Sequence, residues 1–306
     1  MKRLRHVAFV AIGLSALSCP LRPAAQAGVP VGVILEITGP AFLRSSEGAP
    51  SLQLDPKRDV MRKLFVGQAV RVGPGGRLKL GLSIGIKEVR PSEPWYVLTA
   101  PATLTDEQAR IAAALRRYGT VGGTRGLGSW LYSPADDSSV WPSHMVIRWN
   151  PPVKPGQIGL RLETEGGQRL WTQDGMDAAA QKLDSSAARK ALADFQAAGS
   201  QESLMLIMKD SEGQESRVTF FLLSRASVQE LEKELARWDQ VADPMLRTLG
   251  RVSEFTRRRL FVEVADAYEA ALALAPESQA LLASTIDAQR RIGNHARVGE
   301  LRKRLG

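Results

Sequence analysis

Cysteine occurs once in the 306 residues, at Cys19, and histidine three times, at His6, His144 and His295. One cysteine excludes an internal disulfide framework, so stability must come from packed cores. So few histidines starve any catalytic or metal site that relies on imidazole. Aromatic residues make up 6% of the chain, and no apolar run beyond residue 27 approaches the roughly 20 residues that a spanning helix needs. The charge excess is modest, +9 overall, and falls to +5 without Lys2, Arg3, Arg5 and Arg22. That supports weak attraction to anionic surfaces and nothing stronger, so nucleic acid is not an expected partner.

What is present begins with a leader. Lys2, Arg3 and Arg5 form a positive n-region, Val7–Ser18 an apolar stretch, and Ala25-Gln26-Ala27 a small-x-small cleavage pattern. The expectation is a signal peptide over 1–27, a mature chain from Gly28, and a periplasmic or secreted, soluble or peripheral product. Leu17-Ser18-Cys19 also looks like a lipid-attachment site, which is the alternative anchor. The remaining 279 residues suffice for about two domains. No transmembrane segment is expected in the mature chain.

Residues 28–99 read as short strands. Val31, Val33, Leu35 and Ile37 alternate with Gly32, Ile34 and Glu36; Phe42 and Leu43 begin a second strand; Val70 and Val72 close another before Gly73-Pro74-Gly75-Gly76. Leu78, Leu80, Leu82, Ile84 and Ile86 occupy every second position, which fits a half-buried strand or a pair joined at a bend. Gly81-Leu82-Ser83-Ile84-Gly85 matches a nucleophile-elbow pattern, but Pro91 and Pro94 stand where the following helix should be. A serine hydrolase through Ser83 is therefore the weakest of the functions weighed.

The opening strand ending at Gly39, Leu64-Phe65-Val66-Gly67-Gln68-Ala69-Val70, the Gly-rich turn and the alternating strand resemble, over residues 29–98, the small β domain named after FecR. The resemblance implies a bacterial periplasmic protein. In the namesake the domain serves a membrane-spanning regulator, whereas no spanning helix follows the leader in this chain.

Over 100–139 the sequence predicts a helix and a Gly-rich connector. Thr105 and Gln108 form a capping box, Ile111, Leu115 and Tyr118 an apolar stripe, and Gly119 a stop. Gly122-Gly123, Gly126 and Gly128 lack the Lys-Ser/Thr of a phosphate loop, and Asp136-Asp137 lack further oxygen ligands for calcium. Residues 140–225 read as β again: Met145–Trp149, Ile158–Leu162, Arg169–Trp171, Ser203–Met208 and Arg217–Leu223, with a helix at Ser186–Ala198. The tryptophan-then-proline strand and Gly-turn hairpin resemble an immunoglobulin or fibronectin-type sandwich. Trp149 and Trp171 read as core residues, or as sugar-stacking ones if exposed.

The last part, 226–306, is helical. Ser227 with Glu230 suggests a capped helix over 227–241, and Asp243-Pro244 an N-cap and first-turn proline. From there the pattern stays helical, broken near Pro276 and Gly293. Phe261, Glu263, Tyr268, Ala271, Leu272, Leu274 and Pro276 resemble the second helix and closing turn of a tetratricopeptide repeat, degenerate at Val264 and at Thr285-Ile286. The resemblance implies a tail that either packs on its own preceding helix or offers a groove to a protein partner. Arg257-Arg258-Arg259 reads as a basic helix face.

The fold class expected is thus multidomain α+β: a small all-β domain, a sandwich-like middle domain and C-terminal helical hairpins. The function expected is non-enzymatic binding or scaffolding in the cell envelope, with Arg257, Arg258, Tyr268 and Arg291 as partner-binding residues. No catalytic set, cofactor or metal is expected. The principal alternative is a polysaccharide or peptidoglycan binder acting through the β domains.

Overall fold

The computed structural model describes residues 30–91, 93–101, 103–117, 130–151, 156–199 and 202–305. The leader with Cys19 and Ala25–Ala27, the Tyr118–Gly119 end of the first helix and the Gly-rich run to 129 lie outside the described residues. The chain is mixed α+β: strand-rich through residue 222, then helical.

Eight strands form the N-terminal unit: β1 (Pro30–Thr38), β2 (Ala41–Arg44), β3 (Ser51–Gln53), β4 (Lys63–Phe65), β5 (Ala69–Val72), β6 (Arg77–Leu82), β7 (Gly85–Val89) and β8 (Tyr96–Val97). They make two four-stranded antiparallel sheets, ordered β4-β1-β6-β7 and β3-β2-β5-β8. Ile34, Leu64, Val70, Leu78 and Leu80 fill the space between them. The run Leu78–Ile86 is a pair joined at a bend, with Leu82 facing Gly85 across a two-residue turn. Ser83 lies in that turn, 4% exposed, its amide donating to the Val31 carbonyl, and a strand rather than a helix follows it.

β1 departs from simple alternation. Its register shifts between Ile34 and Glu36, so Val31, Ile34 and Ile37 face the partner sheet while Val33 and Leu35 join a different core on the other side. β1 is thus buried on both faces, toward the partner sheet and toward the helix that packs on its other side, and the bulge advances its pleat by one residue.

Helix α1 (Asp106–Arg117) follows, with the reciprocal capping box in place: Gln108 N donates to Thr105 Oγ1 at 3.3 Å, and Thr105 N to Gln108 Oε1 at 3.1 Å. The middle unit contains β9 (Leu131–Ser133), β10 (Ser138–Val140), β11 (Ile147–Trp149), β12 (Gln157–Thr164), β13 (Arg169–Asp177), β14 (Lys182–Leu183), α2 (Ser186–Ala197), β15 (Leu204–Asp210) and β16 (Glu215–Leu222). β9 and β10 fall in the stretch read as connector; each has three residues, too few to display a period. A five-stranded sheet, β10-β16-β15-β12-β13, packs against a three-stranded one, β14-β11-β9, and α2 closes the core. Trp149 sits in that core, 1% exposed, its indole N–H donating to the Ala178 carbonyl at 2.8 Å. Trp171 is partly buried against the same core.

Five helices complete the chain: α3 (Arg225–Asp239), α4 (Pro244–Arg257), α5 (Phe261–Leu274), α6 (Gln279–Ile292) and α7 (His295–Arg302). Ser224, not Ser227, caps α3 by accepting from the Ser227 amide, so the helix begins two residues earlier than expected. Asp243 caps α4 by accepting from Met245 N and Leu246 N, with Pro244 at the first position. A break that the periodicity does not announce separates α4 from α5, where Arg259 takes φ 59°. α3 lies on α4, and α4 also packs on α1, which packs on β1. One core therefore runs from Val33 and Leu35 through Ile111 and Leu115 to Trp238, Leu249, Val264 and Leu281. Gly250 lets α4 approach α3 closely: a Cβ there would lie 2.0 Å from Trp238 Cδ2. Among the described residues no helix is long and apolar enough to cross a membrane.

Candidate functional site

Two of the four tail residues singled out by sequence are interior. Tyr268 is 1% exposed and belongs to the helical core. The Arg258 side chain is 7% exposed and held by Glu254, with Glu230 of α3 at 3.5 Å. Arg257 reaches the same two carboxylates, Glu254 at 3.0 Å and Glu230 at 3.2 Å. These two arginines fasten α4 to α3. Arg291 lies apart from them with its guanidinium 4.4 Å over the Phe261 ring. Arg259 belongs to the α4–α5 turn rather than to a helix face: its Nη2 donates to the Asp137 carbonyl at 2.6 Å and its own carbonyl accepts from Ser139 N at 2.9 Å. That clasp holds the left-handed backbone of Arg259 without glycine.

The helical layer is also tied to both β units. Lys79 pairs with Asp243 at 2.7 Å and Lys57 with Glu277 at 2.9 Å. Loop residues before β4 cap α6: Gln279 N donates to the Arg58 carbonyl at 3.1 Å, and Ser278 Oγ donates to the Val60 carbonyl. Met61 of that loop, φ 65° and 1% exposed, is set into the helical core. Toward the middle unit, Arg148 makes a two-pronged contact with Asp266 at 2.7 and 2.9 Å, and Asn150 Nδ2 donates to the Gly293 carbonyl at 2.8 Å. Between them is a cavity of about 130 Å³ lined by Ser133, His144, Arg148, Glu263 and Asp266 among others. Burial, reinforced by Asp266, pushes the Glu263 carboxyl up to about 7, while Arg148 pulls the other way. Burial lowers the His144 imidazole, which stacks on Trp141 with ring centres 3.7 Å apart.

Comparison of the chain with protein-family models and with curated proteins finds no match. Asp136 and Asp137 are engaged locally, Asp136 Oδ1 accepting from Thr219 N at 2.7 Å and Asp137 pairing with Arg259. No group of three or more His, Cys, Asp or Glu among the described residues is placed to hold a metal ion.

The outward surfaces differ in charge balance. On the outer face of the middle sheet a groove of about 410 Å³ mixes Arg161, Arg169 and Lys209 with Asp174, Asp210 and Glu215. Its charges offset one another. The outer face of the β3-β2-β5-β8 sheet is different. Phe42 pairs across to Arg71, Arg44 to Ala69, and Ala69 to Val97, which places these side chains opposite the buried Leu43 and Val70. Trp95 lies over them: Arg44 Cζ is 4.5 Å and Arg71 Cζ 5.1 Å from its ring centre, and Arg71 is also 5.7 Å from the Phe42 ring. Sequence reading passed over Arg44, Arg71 and Trp95. Their alternation with buried neighbours marks them as outward-facing, but only strand register brings Arg44, Arg71 and Trp95 together.

Proposed function

We propose that the protein is a non-enzymatic binding protein of the bacterial envelope, exported by its leader, that holds an envelope polysaccharide or peptidoglycan through its β units. The helical layer acts as the brace that fixes those units to each other. The observation that carries this reading is the internal use of the tail: Tyr268 is core, Arg257 and Arg258 fasten α4 to α3, and the loop before β4 caps α6. A tail so engaged has spent its distinctive residues on its own chain. The three sequence resemblances, to a FecR-like domain, an immunoglobulin-like domain and a tetratricopeptide-like tail, support an exported, multidomain binding protein, and fold-level likeness goes no further than that.

Cosedimentation of the full mature chain with purified cell wall tests the reading, with Arg257→Glu as the control variant. Saturable sedimentation, unchanged by Arg257→Glu, is expected. Absence of saturable sedimentation, together with capture of a purified envelope protein that Arg257→Glu abolishes, would return the binding role to the tail.

A further inference from the structure

We propose that Arg44, Trp95 and Arg71 on the outer sheet of the N-terminal unit form the binding site for an acidic glycan, a polymer carrying carboxylates on sugar rings. The inference rests on the reading of the β units as the binding surface and names the ligand chemistry. Most arginines of the described chain meet a carboxylate: Arg62 with Asp59, Arg77 with Glu36, Arg148 with Asp266, Arg251 with Asp239, Arg297 with Glu269. Arg44 and Arg71 have no carboxylate partner among the described residues, although both sit over the same indole. Their charges are therefore within about 10 Å of each other, close to one Debye length at physiological salt.

The aromatic contact holds both guanidiniums beside the indole without neutralising either. A planar fork fixed in this way keeps donors free for a carboxylate, which it can grip with two parallel hydrogen bonds. Arg44 Nε is buried and has no hydrogen-bond partner, so Trp95 rather than a polar neighbour sets the orientation of this group. Around the two charges the face supplies apolar area from Phe42, Trp95 and Val97, the last 49% exposed, and polar edges from Ser51 and Gln53. Carboxylate positions beside apolar, ring-sized surface match an acidic sugar, which presents a charged edge and a C–H face together.

Other anionic partners fit less well. Holding a protein on an anionic bilayer takes clusters of roughly four to eight cations, and this face has two. A tight nucleic-acid footprint engages about six to ten phosphates. A small inorganic anion would use the arginines and leave the aromatic strip idle.

The test is binding of the full mature protein to polygalacturonate as probe, with dextran, inorganic phosphate and vesicles of phosphatidylglycerol as comparison arms, by calorimetry and cosedimentation. Saturable binding to polygalacturonate alone is expected, weakening as salt rises. Arg71→Gln, at an exposed position, should cost about tenfold in affinity, the worth of one charged hydrogen-bonding group, and Arg44→Gln/Arg71→Gln considerably more. Circular dichroism and the melting temperature of each variant report the fold, and Arg71→Gln alone decides the matter if the double variant unfolds. Equal affinity of wild type and Arg71→Gln, or binding to vesicles or phosphate in preference to the glycan, would overturn the proposal. Wall sedimentation that survives both substitutions would overturn this site while leaving the β-unit reading standing. Loss of wall sedimentation in the wild type would sink the broader reading instead.

Discussion

Replacing Glu263 by Gln should make the protein more stable at pH 8 and hardly change it at pH 5. Glu263 lines the seam between the middle unit and α5, with Asp266, Arg148 and His144 on the same cavity and Tyr132 close to the Arg148–Asp266 pair. Burial first, then Asp266, raise its carboxyl from 4.5 to about 7, against the lowering by its own amide and by Arg148. The folded chain therefore holds this proton more tightly than the unfolded chain does. Stability from this group is fully present below pH 4.5, declines as pH rises toward 7, and is gone above it. A displacement from 4.5 to about 7 corresponds to on the order of 3 kcal/mol, and to less where water reaches the cavity rim, since Glu263 is only partly buried by area. His144 works oppositely: its lowered imidazole pKa makes the fold lose stability as pH falls through 6.5. The difference between wild type and Glu263→Gln isolates the carboxyl from that background. Urea unfolding at pH 5, 6, 7 and 8 measures it. Two parallel stability curves would refute the argument, because the carboxyl would then titrate alike in both states.

Gly250→Ala should destabilise by about 1–3 kcal/mol despite alanine's better helix propensity, because the new Cβ would stand 2.0 Å from the Trp238 ring; guanidinium unfolding followed by tryptophan fluorescence checks this, and equal or higher stability would contradict it. Asp243→Ala removes both the α4 cap and the pairing with Lys79 and should cost about 2–4 kcal/mol, whereas Asp243→Asn keeps an acceptor for the helix and should cost roughly half as much; identical losses by urea titration would show that the cap contributes nothing. Ser278→Ala should cost about 1–2 kcal/mol and raise hydrogen exchange at Gln279 and Leu281 together, since one hydroxyl serves both the Val60 carbonyl and the Leu281 amide; faster exchange at Leu281 alone would mean that the loop contact is idle.

Local chemistry was legible and long-range placement was not. The Thr105–Gln108 box, the Asp243-Pro244 start and the Gly293 stop each depend on two or three neighbouring residues, and each forms as read. Ser224 displaced Ser227 as a cap because both serines stand three residues before an amide that needs an acceptor, and the sequence does not rank them. The α4–α5 break escaped because Arg259 is a poor turn former by itself; its backbone is fixed by Asp137 and Ser139, more than a hundred residues earlier. Likewise the interior places of Tyr268 and Arg258 depend on what α3, α6 and the loop before β4 bring to them. Arg44, Arg71 and Trp95 span some fifty residues and meet only through the pairing of β2 with β5 and of β5 with β8.

The capping of α6 by the loop before β4 joins segments about 220 residues apart. A chain made from its N-terminus presents the strand carrying Val33 and Leu35 first, then α1, which lies on that strand, and the helices that cover α1 in turn arrive last. Until then Met61 and the α4-facing side of α1 stand open to water, so the interval of greatest vulnerability to aggregation and proteolysis lies between the emergence of α1 and that of α4. Contacts of such separation are slow to form. A fragment ending near Asp243 would be frozen in that unfinished state, and a helper that shields apolar surface while the chain is being made should improve the yield of the whole protein more than any single stabilising substitution.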